Sequence, residues 1–125
     1  MKEFAILISD KNRNVRSFLR REMEAQGYKV LTANTARDTM ELIYQPILID
    51  LVILDPELPD AEEMSIIKSL NNRIPSLPVV VHSFSQDCVK HISDLSTVHF
   101  VEKKGSSIEH LIKVVSALLD KSVSE

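Results

Sequence analysis

The 125-residue chain has one cysteine, no tryptophan, only two glycines, and aromatic residues at 5%. Each scarcity excludes something. A lone Cys88 cannot form an internal disulfide, and such usage suits a reducing compartment. With only Gly27 and Gly105, no glycine-rich phosphate loop or dinucleotide fingerprint can be written; Ser9-Asp10-Lys11-Asn12-Arg13, after the first apolar run, has none of the needed glycines. No apolar stretch approaches the length of a membrane-spanning helix. Phe4-Ala5-Ile6-Leu7-Ile8, directly after Met1-Lys2-Glu3, is too short for a signal-peptide core, so a cytoplasmic location is expected. The formal charge of -3 and the few aromatics argue against nucleic acid or a membrane surface as a direct partner.

What is present is alternation. Apolar residues make up 44%, enough for one domain's core. Strand-like runs occur at 4–9, 28–32, 50–54, 79–81 and 98–101. Between and after them lie helix-like stretches at 12–26, from Asn34 or Thr35 to about Tyr44, at 61–72, weakly at 86–95, and from Ser106 onward. In the first helix Val15, Phe18, Leu19 and Met23 share a face, and Gly27 supplies a stop. Met64, Ile67 and Leu70 point inward from the third. Ser106-Ser107-Ile108-Glu109 has capping-box form, followed by apolar residues at helical spacing. Five β-α units imply a parallel sheet with helices on both faces. Residues 1–120 read as the domain and 121–125 as a tail or the start of a linker.

In such a sheet strands one, three, four and five end on one rim, where functional groups gather. The polar residues there are Asp10, Asp55, Ser83 and Lys103. Two carboxylates brought together need a cation, and Mg2+ is the natural hard choice. Asp55 could then act as a nucleophile toward phosphorus, with Lys103 offsetting charge and Ser83 donating a hydrogen bond. Each residue also has a plain reading. Asp55 could cap a loop, Asp10 could cap the first helix, and Ser83 and Lys103 could be ordinary surface residues. Arg13, Arg16, Arg20 and Arg21 read as a solvated helix face, since Glu22 and Glu24 interleave. Cys88, His91, His82 and His99 do not make a zinc pattern. His82 beside Ser83 is no hydrolase dyad, because neighbouring strand residues face opposite sides.

These motifs, Ile6-Leu7-Ile8-Ser9-Asp10, Asp50-Leu51-Val52-Ile53-Leu54-Asp55 with Pro59, Pro78-Val79-Val80-Val81-His82-Ser83 and Phe100-Val101-Glu102-Lys103, resemble the receiver domain of two-component response regulators, the CheY-like superfamily. The resemblance covers essentially the whole chain. It implies a flavodoxin-like α/β three-layer fold: five parallel strands in order 2-1-3-4-5 and five helices, two on one face and three on the other. It implies Asp55 as phosphoacceptor and Asp10, Asp55 and the Glu57 backbone carbonyl as Mg2+ ligands. Ser83 and Lys103 would contact the phosphoryl group, and Ser83 and Phe100 would form the switch. Implied partners are a sensor histidine kinase or phosphotransfer protein, a downstream effector, and a second copy through the fourth helix, fifth strand and fifth helix. The domain would signal rather than turn over a substrate, with only self-directed phosphotransfer and autodephosphorylation.

Several positions depart from the family pattern. Ser9 stands where a first acid is usual, so weaker Mg2+ binding is expected. Pro56 removes a backbone N–H beside the phosphoacceptor. Phe84 replaces a small residue and is expected to crowd the site. Lys104 replaces the proline that normally follows the lysine. Glu63 replaces a common glycine, and Ser96-Thr97 the small residues before strand five. These departures raise an alternative, a pseudo-receiver that binds partners without phosphorylation.

Overall fold

The structure, a computed structural model, describes residues 3–45, 48–60, 66, 69–70, 77–84 and 98–123. Its elements are β1 (Ala5–Ser9), α1 (Arg13–Ala25), β2 (Lys29–Ala33), α2 (Ala36–Ile43), β3 (Leu51–Leu54), β4 (Val79–Ser83), β5 (Val98–Glu102) and α3 (Ser107–Val123). The third and fourth predicted helices fall largely outside the described residues, though Ile66, Ser69 and Leu70 are helical. Three helices are thus described of the five expected; α3 is the fifth of that prediction and continues to Val123, into the segment read as tail.

The five strands form one parallel sheet in the order β2-β1-β3-β4-β5, as expected. β1 and β3 are buried along their whole length, which is why they read as continuous apolar runs rather than alternating ones. On one face Ile6, Ile8, Leu51, Ile53 and Val80 pack against Leu19 and Met23 of α1 and Leu111, Val115 and Leu119 of α3. On the other, Leu7, Val52, Leu54, Val79 and Val81 pack against Ile43 of α2 and against Ile66 and Leu70. Phe18 departs from its predicted inward place: it is 41% exposed, at the margin of the α1 stripe, with the Arg21 guanidinium 5.6 Å from its ring centre.

Caps set the helix ends. Asn12, not Asp10, caps α1, its side chain accepting from the Asn14 and Val15 N–H groups. Gly27 then ends the helix turn at φ +93°, a left-handed conformation that favours glycine. Thr35 caps α2 by accepting from the Asp38 N–H.

Candidate functional site

Backbone hydrogen bonds align the carboxyl ends of the strands. The Asp10 N–H donates to Ala33 O at 3.1 Å, the Asp55 N–H to Ser9 O at 2.8 Å, and the Lys103 N–H to Ser83 O at 2.8 Å. These bonds bring Asp10, Asp55, Ser83 and Lys103 onto one rim, and all four are buried.

There the Lys103 ammonium lies 2.8 Å from Asp10 Oδ2 and 3.5 Å from Asp55 Oδ2. Both carboxylates are 2% exposed. Buried charges need partners, and the lysine supplies one to both. The remaining lone pairs are met by the backbone. Asp10 Oδ1 accepts from the Asn12 N–H at 2.8 Å, ordering the turn that leads into α1. Asp55 Oδ1 accepts from the Glu57 N–H at 2.9 Å. Pro56, buried between them, has no N–H to give, so the carboxylate takes its bond from the next residue. Asp55 Oδ2 has long contacts at 3.5 Å, to the Lys11 N–H and to Lys103, which leaves it the less tightly held oxygen.

The departures now have geometry. The buried Ser9 hydroxyl is 2.8 Å from Thr39 Oγ1 of α2, so its side chain is committed to that helix. Phe84 is 73% exposed, with the Lys103 ammonium 5.4 Å from its ring centre. Lys104 is exposed, while Phe100 is half-buried against the core on the α2 face. His82 turns away from Ser83, its Nε2 lying 3.2 Å from the Ser107 hydroxyl. A cleft of about 410 Å³ runs beside the site, lined by Val15, Phe18, Leu19, His82, Phe84 and Lys103 among others. Cys88 and His91 lie outside the described residues, and no cluster of three or more metal-ligating side chains occurs among those described.

Sequence reasoning missed four participants. Lys11 reaches across the mouth to Glu57, Nζ to Oε2 3.0 Å, and that bond chiefly raises the lysine's pKa. Thr39 answers Ser9; its signal was a hydroxyl four residues before Ile43, on the buried side of α2. Ser107 pairs with His82. Asp60 accepts from the Ala36 and Arg37 N–H groups across the loop after β3, at 2.6 and 3.1 Å. A lone aspartate in a loop carries no signal of so distant a partner.

The donor set suits a hard divalent cation. Two carboxylates from neighbouring strand ends match what Mg2+ takes from protein, the remainder being water and phosphate oxygens. With Ser9 turned to α2, the set holds two acids rather than three.

Comparison with known proteins agrees with this architecture. Residues 6–116 match the family model of the response regulator receiver domain. The chain is 27% identical over 123 residues to the response regulator MprA of Mycolicibacterium vanbaalenii, covering 96% of this chain and 52% of that protein. It therefore spans about half the length of that relative. Among solved structures it resembles the signal receiver domain of an HD domain-containing protein from Pseudomonas fluorescens, with TM-score 0.87 at 17% identity, covering 99% of this chain and all of that one. It also resembles the response regulator TrrA of Thermotoga maritima in complex with Mg2+ and beryllofluoride, with TM-score 0.82 at 22% identity, covering 92% and 98%. At these identities the structural likeness speaks to the fold, which is flavodoxin-like. The family match extends over nearly the whole chain, and the chain belongs to the response regulator receiver domains of two-component signalling.

Proposed function

We propose that Asp55 accepts a phosphoryl group from the phosphohistidine of a sensor histidine kinase or phosphotransfer protein. The observation that carries this reading is the buried convergence of Asp10, Asp55 and Lys103, with Asp55 Oδ2 the less tightly held oxygen. In the reaction a carboxylate oxygen of Asp55 forms a bond to phosphorus while the phosphorus–nitrogen bond to the donor imidazole breaks. Lys103 meets the charge that arrives, because its ammonium already lies beside both carboxylates. Ser83, buried at the end of β4, is assigned a hydrogen bond to a phosphoryl oxygen. Asp10, Asp55 and the backbone carbonyl of Glu57 are the residues that would hold Mg2+. When bound there, the ion supplies positive charge against the phosphoryl oxygens. The acylphosphate carries about 1.5 to 2 negative charges where the carboxylate carried one, in a compact site. Ser83 and Phe100 are assigned the rearrangement that follows, which biases the β5 and α3 side toward an effector or a second copy.

The test is direct. The protein is incubated with Mg2+ and either beryllofluoride or a small phosphodonor such as acetyl phosphate. Intact mass and amide NMR shifts are then followed. The wild type is expected to gain one phosphoryl group and to shift around Asp10, Asp55, Ser83 and Lys103, and Asp55→Asn to do neither. An unmodified, unshifted wild type at every Mg2+ concentration would leave the phosphorylation-independent interaction module as the function. A pull-down unchanged by Asp55→Asn would then support that module.

A further inference from the structure

His82 is a buried titratable group that the proposed chemistry does not use. It sits in β4 one residue before Ser83, and its bond to the Ser107 hydroxyl joins the end of β4 to the first turn of α3. Its Nδ1 is buried and has no hydrogen-bond partner among the described residues. Burial pushes its pKa down to about 4; the nearby Lys103 ammonium acts in the same direction, and the Asp55 carboxylate opposes it. The ring is therefore neutral at pH 7 and places no second cation beside Lys103.

Lys103 leads into the turn that this bond closes. That turn, Lys104-Gly105-Ser106, has little stiffness of its own. It contains no proline to fix φ, it contains a glycine, and all three residues are exposed. A side chain added at Gly105 would meet nothing within 4 Å, so among the described residues nothing packs over that position. What holds it is a set of hydrogen bonds. The Lys103 N–H donates to Ser83 O at 2.8 Å on entry, and the Ser107 N–H donates to Lys104 O at 2.9 Å on exit. The His82 ring then ties the Ser107 side chain back to β4. The last of these is a side-chain device specific to these two residues.

We infer that His82 and Ser107 form a positioning pair whose buried hydrogen bond fixes the Lys103–Ser107 turn and so aims the Lys103 ammonium at Asp10 and Asp55. The consequence for phosphoryl transfer rests on the reading of Asp55 as phosphoacceptor. The placement of the lysine does not.

The experiment follows the Lys103 ammonium by NMR in the full chain labelled with 15N-lysine, beside beryllofluoride affinity in Mg2+ and the thermal midpoint. Ser107→Ala is expected to displace the Lys103 resonance and weaken beryllofluoride roughly 2- to 12-fold, the range one hydrogen bond spans. Ser107→Thr, which keeps the hydroxyl, restores both. Ser107→Ala also leaves His82 without its Ser107 bond and so lowers stability on its own account. The pair His82→Val with Ser107→Ala removes both polar groups together. It is expected to recover the thermal midpoint while the Lys103 resonance stays displaced and the affinity stays low. A double variant with wild-type resonance and affinity would overturn the inference and leave the pair a packing feature. Should wild type bind no beryllofluoride, the Asp55 reading fails, and the Lys103 resonance still decides the pair.

Discussion

Ser9 and Thr39 form a short chain of hydroxyls behind the acidic site. The Thr39 hydroxyl donates to the Thr35 carbonyl at 2.7 Å, so in the Ser9–Thr39 contact Ser9 must donate. Its one proton faces α2, and Asp10 is left as the acid that ends β1. Ser9→Asp would place a carboxylate where Thr39 has no proton to offer. The expected outcome has two parts. Mg2+ binding tightens, because a third acid joins the site. Stability without metal falls by about 1–3 kcal/mol, the scale for a buried polar group left unpaired. Isothermal titration with Mg2+ and urea unfolding check the two parts. An unchanged Mg2+ affinity would mean that the new carboxylate cannot turn from α2 to the site. Lys103 shows the same dependence on surroundings. In sequence it is a cation after an apolar run; in the fold it is a buried ammonium between two aspartates.

At the scale of elements, α2 is a helix of eight residues whose N-terminus is held by two side chains, one hydroxyl and one carboxylate. Thr35 caps it from within the chain, and Asp60 reaches it from the loop after β3. The Ala36 N–H, followed by the Arg37 N–H, holds the Asp60 carboxyl below its ordinary value of 3.8. A pKa lowered by folding gives a contribution that is full above the unfolded value and is lost as pH falls below it and through the lower folded value. Asp60→Ala is therefore expected to lower the thermal midpoint at pH 7 and to speed hydrogen exchange at Ala36 and Arg37. The difference from wild type shrinks toward pH 3. A constant difference across that range would show that the carboxylate charge plays no part. Since Asp60 lies five residues after Asp55, this contact also ties the loop that follows the proposed phosphoacceptor to α2.

For the whole molecule, one sheet serves two cores. Ile6, Ile8 and Ile53 face α1 and α3, while Leu7, Val52 and Leu54 face α2, alternating along the same strands. Loosening one face therefore loosens the strands that carry the rim. Leu111→Ala, in a fully buried α3 position, is expected to cost about 2–5 kcal/mol. Circular dichroism in urea should show a single transition for wild type and variant alike. Two resolved transitions in the variant would show that the faces unfold separately.

The sequence by itself determined the strands, the helix limits it could cap and the parallel sense of the sheet, while the strand order came with the family resemblance. Buried strands are continuous branched runs, and Thr35 and Gly27 act within a few residues of themselves. It also placed Asp10, Asp55, Ser83 and Lys103 at strand ends, which put them on one rim once the strands ran parallel. Only the tertiary structure decided what those residues touch. The Ser9–Thr39, His82–Ser107 and Lys11–Glu57 contacts join residues 25 to 46 apart in the chain. Such partners are chosen by how the loops are packed, and no local pattern of apolar and polar residues records that choice. The same holds for Phe18 and Phe84, both apolar, yet exposed where they line the cleft between α1 and the turn after β5.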